Sequence, residues 1–230
     1  MSERVILHEL FKADFDLGSA LYRTAVLGYA FSSNVFEGGV LEALEQEADE
    51  LNLKVGDHMS TPINEGAPNE VRQRHARGYY TIDDNSVPVA NNVTRLLARA
   101  VQSYSNSYPE LARWHPTEAG YQRYRNSDDS ISAHRDRSSD QLLAATINVT
   151  GSTTVEIFET KGSNPMDYSQ KNIKLTDSFT TSPGSLMLLR APGFDLTDML
   201  QTLHAVPPPT DGSRLVLNLR MRPTILENPK

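Results

Sequence analysis

Two histidines, an aspartate and an arginine carry the clearest chemical potential in this sequence. His134 and Asp136 stand two positions apart in Ser130–Asp136, which we predict to be a short strand. Because alternate side chains of a strand point the same way, both can bind one ion. His204 lies 70 residues further on, and Arg214 follows ten residues after it. Two histidines and one carboxylate bind Fe(II) on one face and leave its other positions open, so we predict an iron site.

The composition is that of a folded chain with an acidic balance. A length of 230 residues with 38% hydrophobic content is enough for one core, so we expect a single domain, 1–230. The net charge of −7 disfavours broad electrostatic binding to nucleic acid or anionic membranes. The absence of cysteine excludes disulfides, zinc–thiolate sites, iron–sulfur clusters and thiol nucleophiles. Neither a signal-peptide pattern nor an 18-residue apolar run is present, so we expect a cytoplasmic protein.

Residues 1–113 carry helical patterns and long polar loops, and we expect them to supply helical support and lid loops. Residues 4–10 are predicted to form an opening strand. Three helices are predicted, at Leu17–Leu27, Gly39–Leu51 and 88–105. Residues 52–78, rich in Asn, Pro, Gly and charge, are predicted to be a loop or lid. Their basic end, 71–78, is either a solvated surface or a place to hold an anionic substrate.

From about residue 114 the pattern changes to short strands separated by turn residues. The strands are predicted at 121–125, 130–136, 142–149, 153–159, 172–175, 185–190 and 214–222. The predicted fold class is mainly β with α (α+β), a double-stranded β-helix or jelly roll over 114–223 buttressed by N-terminal helices. The loops at 52–86 and 160–182 are candidates for a cover over a pocket.

The last predicted strand separates its side chains cleanly. Leu215, Leu217 and Leu219 take one face, while Arg214 and Arg220 take the other. If the leucines pack against the helices, both arginines point into the barrel. A cationic interior would suit a bound dianion together with a metal ion.

The ordered set Tyr124…His134-Arg135-Asp136…His204…Arg214 resembles the 2-oxoglutarate- and Fe(II)-dependent dioxygenase superfamily. Its pattern is His-x-Asp on one strand, a distal histidine near the end of the double-stranded β-helix, and an arginine or lysine about ten residues later. Residues 183–190 resemble the strand that leads towards the distal histidine. Residues 204–207 and 212–214 resemble the His-x-Val and arginine-bearing segments, and the resemblance covers roughly 114–223.

The resemblance implies roles for the four central residues. His134, Asp136 and His204 would bind Fe(II), and 2-oxoglutarate would chelate the metal through its keto-acid end. Arg214 would pair with the far carboxylate, which suits the planar fork of a guanidinium. The reaction would consume O2 and 2-oxoglutarate, release succinate and CO2, and oxidise a C–H bond of the substrate. Because Asp136 is present, hydroxylation, desaturation, cyclisation or demethylation is favoured over halogenation.

Two further residues match separate branches of the superfamily. Tyr124 occupies the place where prolyl-hydroxylase-like members carry a ligand-facing tyrosine. The spacing from Arg214 to Arg220 resembles AlkB-like repair enzymes, whose second arginine faces the cosubstrate. The polar residues between these arginines and the distance from His204 to Arg214 differ from the AlkB-like pattern, so the branch is left open.

The substrate favoured by the sequence is a small metabolite, amino-acid-like or a natural-product intermediate. A protein side chain or an alkylated nucleic-acid base is the alternative within the superfamily, although the acidic charge disfavours nucleic acid. A cupin-like protein that binds metal but ignores 2-oxoglutarate is a further alternative, as is a binding module without catalysis. Without a metal site, His134, Asp136 and Arg214 would be ordinary hydrogen-bonded, turn and ion-paired residues. The oligomeric state stays open.

Overall fold

Two facing antiparallel sheets with helices against one of them form this protein in its computed structural model. The described residues are 10–55, 61–125, 127–194 and 200–223. The predicted strand at 4–10 lies, except for Leu10, outside them. None of the described helices is both long and apolar enough to cross a bilayer.

Within the described residues, three α-helices of more than two turns precede the jelly roll. They are α1 (Leu17–Leu27), α2 (Gly38–Glu50) and α3 (Pro88–Gln102), followed by a short 3-10 helix at Pro109–Arg113. The helix prediction is confirmed to within a few residues at each end. The ends of α1 have clear physical causes, since the Asp16 side chain accepts a hydrogen bond from the backbone N–H of Ser19 and Gly28 adopts a φ of 87°.

Twelve strands are described, and eight of them form the jelly roll. In chain order they are β1 (Tyr29–Ser32), β2 (Lys54–Val55), β3 (Gln73–Arg74), β4 (Ala76–Thr81), β5 (Glu118–Tyr124), β6 (Ser130–His134), β7 (Leu143–Thr150), β8 (Thr153–Thr160), β9 (Ile173–Thr181), β10 (Leu186–Arg190), β11 (Leu203–Val206) and β12 (Arg214–Arg220). The major sheet has the order β1-β10-β7-β12-β5-β4-β2, and the minor sheet has the order β3-β6-β11-β8-β9. From β5 onwards the chain places four strands in each sheet, which is the predicted double-stranded β-helix.

Several predicted boundaries need correction. Strands β1 to β4 precede residue 114 and join the two sheets, so the N-terminal part is more than helices and loops. Residues 52–78 therefore contain strands as well as a loop. The proposed cover at 52–86 includes β2, β3 and β4, and the one at 160–182 includes all of β9. The strand predicted at 130–136 ends at His134, which leaves Asp136 in the following turn.

The main core lies between the helices and the outer face of the major sheet. Leu215, Leu217 and Leu219 of β12 are fully buried in it. Their burial fixes the register of β12, because a shift by one residue would exchange leucines for arginines. The opposite face of β12, with Arg214 and Arg220, therefore points into the space between the sheets, as the alternation predicts.

A buried carboxylate joins the helices to the major sheet. Glu47 of α2 accepts hydrogen bonds from the backbone N–H groups of Val89 (2.6 Å) and Ala90 (2.9 Å) at the start of α3. It also accepts one from the Tyr121 hydroxyl at 2.7 Å. Val87, the N-cap residue of α3, has no capping side chain, so Glu47 supplies that cap from another helix. Tyr121 lies on β5, so the same contact positions a strand that lines the site.

Candidate active site

Neighbouring strands of the minor sheet bring the two predicted histidines together. His134 ends β6 and is paired in register with His204 of β11, and their ring centroids are 4.3 Å apart. One ligand atom from each of His134, Asp136 and His204 lies within 4.8 Å of the other two. Among the described residues, this is the one cluster with suitable spacing for a metal ion.

Both imidazoles are held with the same nitrogen turned to the backbone. Nδ1 of His134 lies 2.8 Å from the Ser132 carbonyl oxygen, and Nδ1 of His204 lies 3.1 Å from that of Thr202. A carbonyl only accepts, so each Nδ1 carries the proton and each Nε2 keeps a free lone pair. Burial and the neighbouring His204 lower the pKa of His134 to about 3. Burial also lowers the pKa of His204. Both rings are therefore neutral at neutral pH.

Asp136 is ionised and keeps one oxygen without a partner. Burial is the largest single effect and alone would raise its pKa, but Arg220 together with the two histidines and Arg137 outweighs it, and the pKa is lowered. Arg220 lies 3.0 Å from Oδ1, while Oδ2 is buried and has no hydrogen-bond partner among the described residues. Two neutral imidazole nitrogens and one unpaired carboxylate oxygen are a donor set that fits Fe(II). The donor atoms of the site therefore suit the predicted metal.

Arg220 forms ion pairs with two carboxylates. Besides Asp136, it contacts Asp140 at 3.2 Å, and Asp140 in turn lies 3.3 Å from Arg222. The side chain of Asp140 is only 1% exposed, so this is a buried network. The AlkB-like spacing implied that Arg220 faces the cosubstrate, and this stays a prediction. Its observed contacts hold the aspartate of the triad.

Arg214 is a buried cation without a carboxylate. It is 3% exposed, and none of the carboxylates in the described segments forms an ion pair with it. Its Nε donates to Oδ1 of Asn148 at 2.5 Å, and its guanidinium lies 5.4 Å from the ring centre of Tyr124. Burial lowers its pKa to about 10, so it stays charged at neutral pH. Because a buried charge without a counter-ion is costly, this arrangement favours an anionic ligand.

Tyr124 lies beside Arg214, and its hydroxyl interacts with that guanidinium as well as with Gln122. The two residues are paired in register between β5 and β12. The hydroxyl donates to Oε1 of Gln122 at 3.2 Å, and burial raises its pKa to about 12. Gln122 in turn donates to the Tyr79 hydroxyl at 2.8 Å. A hydrogen-bonded row thus runs from Tyr124 across β5 to β4.

One cavity of about 450 Å³ contains all six residues predicted for the site. Its volume is in the range of small-molecule pockets. Arg77 belongs to the basic end, 71–78, that was considered as a place to hold an anionic substrate. The sequence suggested no role for several other lining residues, namely Tyr79, Gln122, Thr146, Tyr168 and Asn218. Asn218 offers a further donor, because its Oδ1 accepts from Thr146 while its Nδ2 is buried without a partner among the described residues. The alternation of β5 and β12 could have found Gln122 and Asn218, whereas Arg77 and Tyr79 lie in a segment predicted to be a loop.

Comparison with known proteins identifies the fold. No protein-family model matches the sequence, and none of the curated proteins matches it. A Pseudomonas putida prolyl-4-hydroxylase superposes with a TM-score of 0.60 at 12% identity, covering 90% of this chain and 98% of that one. A Trichoplax adhaerens prolyl hydroxylase, solved with a hypoxia inducible factor peptide fragment, gives 0.57 at 11% identity, with 89% and 88% covered.

A third similar structure is a viral collagen prolyl hydroxylase from Paramecium bursaria Chlorella virus-1. Its truncated form superposes with a TM-score of 0.55 at 12% identity, covering 85% of this chain and 89% of that one. The same enzyme solved as a 2OG complex gives 0.52 at 12% identity, with 84% and 94% covered. These similarities confirm the double-stranded β-helix fold predicted from the sequence. At such identities they establish the fold alone.

Proposed function

We propose that this protein is an Fe(II)- and 2-oxoglutarate-dependent oxygenase. The observation that carries the proposal is the joint presence, in one cavity, of the His134–Asp136–His204 cluster and the buried, uncompensated Arg214. A metal cluster alone would suit many proteins, and a buried arginine alone would suit many anions. A 2-oxoacid that binds a metal at one end and carries a carboxylate at the other explains both.

Each residue then has a distinct task. His134, Asp136 and His204 hold the iron, with both imidazoles oriented by backbone carbonyls. Arg214, steadied by Asn148 and packed on Tyr124, binds the far carboxylate of 2-oxoglutarate. When bound, the iron and 2-oxoglutarate supply O2 activation, with succinate and CO2 as co-products.

For the substrate we favour a small amino-acid-like molecule or natural-product intermediate, oxidised at a C–H bond. The cavity volume of about 450 Å³ supports a small substrate. A protein side chain is the second candidate, because the structurally similar proteins are prolyl hydroxylases and one was solved with a peptide fragment. A nucleic-acid base is not favoured, given the net charge of −7.

Thermal unfolding tests the proposal without a known substrate, since a ligand that binds the folded state raises Tm. We expect Mn(II) to raise Tm relative to EDTA, and 2-oxoglutarate to raise it further only when Mn(II) is present. His134→Ala should abolish both increments, whereas Arg214→Ala should abolish only the second. Arg95→Ala is the matched control, because that arginine is exposed and pairs with Asp83 at the surface.

The same experiment separates the alternatives. A cupin-like metal protein would show the metal increment, no 2-oxoglutarate increment and no effect of Arg214→Ala. A binding module without metal would show neither increment. Either pattern would overturn the proposal.

A further inference from the structure

The wall of the cavity is strongly cationic although the protein as a whole is acidic. Its charged lining, apart from the two histidines, consists of one carboxylate, Asp136, and six arginines, which are Arg77, Arg135, Arg137, Arg214, Arg220 and Arg222. The net charge of the chain is −7. The concentration of positive charge is therefore local to the cavity, and a local field of this kind selects anionic ligands.

Two of these arginines already have counter-charges, and a third receives one from the proposed cosubstrate. Arg220 pairs with Asp136 and Asp140, and Arg222 pairs with Asp140 and with Glu118 at 2.5 Å. In the proposed function, Arg214 receives the far carboxylate of 2-oxoglutarate. Arg77, Arg135 and Arg137 are left, and no carboxylate of the described segments forms an ion pair with any of them.

Arg135 has a structural task that the other two lack. Its guanidinium donates to the backbone carbonyls of Gln201 and Pro165, which ties together two segments at the cavity rim. It also lies 6.0 Å from the ring centre of Tyr168. Both terminal nitrogens are used in these contacts, and only the buried Nε has no partner among the described residues, so Arg135 contributes positive charge more than a free binding fork.

Arg77 presents its guanidinium on an aromatic support. It lies on β4 opposite Gln122 of β5, with its guanidinium carbon 5.2 Å from the ring centre of Tyr79. Tyr79 packs closely against Gly120, since a Cβ at that position would be 2.3 Å from the tyrosine ring. The ring is fixed at its other end by the hydrogen bond from Gln122. Arg77 is thus held over a positioned ring, and no carboxylate of the described segments pairs with its guanidinium.

Arg77 is separate from the subsite of Arg214. Strand β5 stands between β4 and β12, and neighbouring strands are spaced by about 4.8 Å, so the two backbones are about 10 Å apart. Gln122 and Tyr124 fill the intervening row. One bound 2-oxoglutarate on Arg214 therefore leaves Arg77 available for a second anion.

We propose that the molecule oxidised by this protein carries a carboxylate that pairs with Arg77 on its Tyr79 support. A carboxylate matches the planar guanidinium fork in two parallel hydrogen bonds. Arg135 and Arg137 strengthen the attraction from the opposite wall. This inference rests on the proposed function and narrows its substrate class to acidic molecules.

Ligand-observed NMR on the protein loaded with Zn(II) and 2-oxoglutarate tests the proposal, because no turnover occurs. The probes are a panel of N-acetyl amino acids and the matching N-acetyl amino acid amides, which differ only in the carboxylate. A second panel of short peptide amides with Asp or Glu, against Asn or Gln, distinguishes a side-chain carboxylate from a free one. We expect the carboxylate members of one panel to bind at least tenfold more tightly than their neutral partners.

Variants test whether Arg77 causes the preference for carboxylate probes over neutral ones. Arg77→Gln should remove the tenfold preference, Arg77→Lys should keep part of it, and Arg95→Gln should leave it intact. Equal binding of acids and amides, no binding by any acid, or an unchanged preference in Arg77→Gln would overturn the inference. Failure of the proposed function looks different, because 2-oxoglutarate would then not bind to the Zn(II)-loaded protein at all. If Arg77→Gln abolishes 2-oxoglutarate binding, Arg77 belongs to the cosubstrate and the inference is wrong.

Discussion

The guanidinium of Arg220 lies 3.0 Å from Oδ1 of Asp136, while Oδ2 of the same carboxylate is buried without a hydrogen-bond partner among the described residues. The two oxygens thus have different tasks. One is fixed by an ion pair that orients the group, and the other is available to a metal ion. Arg220 also neutralises part of the charge of the buried Asp140.

Replacing Arg220 should destabilise the metal-free protein. Arg220→Met leaves Asp136 without its counter-charge, and breaking a buried ion pair costs about 3–5 kcal/mol. Urea unfolding in EDTA measures the loss. A divalent metal should restore more stability to this variant than to the wild type, because the ion supplies the missing positive charge. Arg95→Met, which breaks an exposed pair, should cost less than about 1 kcal/mol; a similar cost in Arg220→Met would contradict the buried network.

Asn148 should control the affinity for 2-oxoglutarate without contacting the metal. Asn148→Asp places a carboxylate where the amide oxygen now accepts from Arg214, so it competes with the cosubstrate for the guanidinium. We expect at least a tenfold rise in the Kd for 2-oxoglutarate, measured by calorimetry on Mn(II)-loaded protein. Asn148→Ala should raise it less, and the affinity for Mn(II) should change little in both. An unchanged Kd in Asn148→Asp would argue against Arg214 as the anion site.

Glu47 should matter for stability and not for ligand binding. Glu47→Gln removes the charge at the start of α3 and one of the acceptor oxygens, so we expect a loss of about 1–3 kcal/mol in the free energy of unfolding. Tyr121→Phe removes a single hydrogen bond to the same carboxylate and should cost about 1 kcal/mol. Denaturant unfolding gives both values. Equal stability of Glu47→Gln and the wild type would show that the cap contributes nothing.

Gly120 should be required for the position of Tyr79. In Gly120→Ala the new methyl group would meet the tyrosine ring at 2.3 Å, so the ring must leave its place beside Arg77. We expect a lower Tm, and we expect Tyr79→Ser to remove most of the added cost in the double variant, because the clash is then absent. If the changes in Tm of Gly120→Ala and Tyr79→Ser simply add in the double variant, the two side chains do not clash.

The sequence alone predicted the parts of this fold that follow a simple period. The leucines of β12 and the apolar stripe of α3 repeat at spacings that only one element type satisfies, and both were placed correctly. Strand β11 was not predicted, because its four residues, Leu203–Val206, are too few to show an alternation of side chains. Strand β9 was predicted too short, because most of its residues are exposed and polar and resemble a loop.

The site shows the same division between local pattern and tertiary pairing. His134, Asp136, His204 and Arg214 were predicted from order and spacing, and the structure brings them into one cavity. The pairing of Arg220 with Asp136 and Asp140 depends on how β12 faces the turn after β6, which no local pattern encodes. Tyr79 lines the cavity because β4 pairs with β5. The segment that forms β4 is basic and contains a glycine, so its sequence does not indicate that pairing.

The most direct test of the account is an anaerobic visible spectrum of the purified protein with Fe(II) and 2-oxoglutarate. We predict a metal-to-ligand charge-transfer band that appears only when both are present. The band should weaken in Asp136→Ala and in Arg214→Ala, and should persist in Arg95→Ala. A folded protein that binds Fe(II) without developing the band, or a band indifferent to Arg214→Ala, would contradict the assignment.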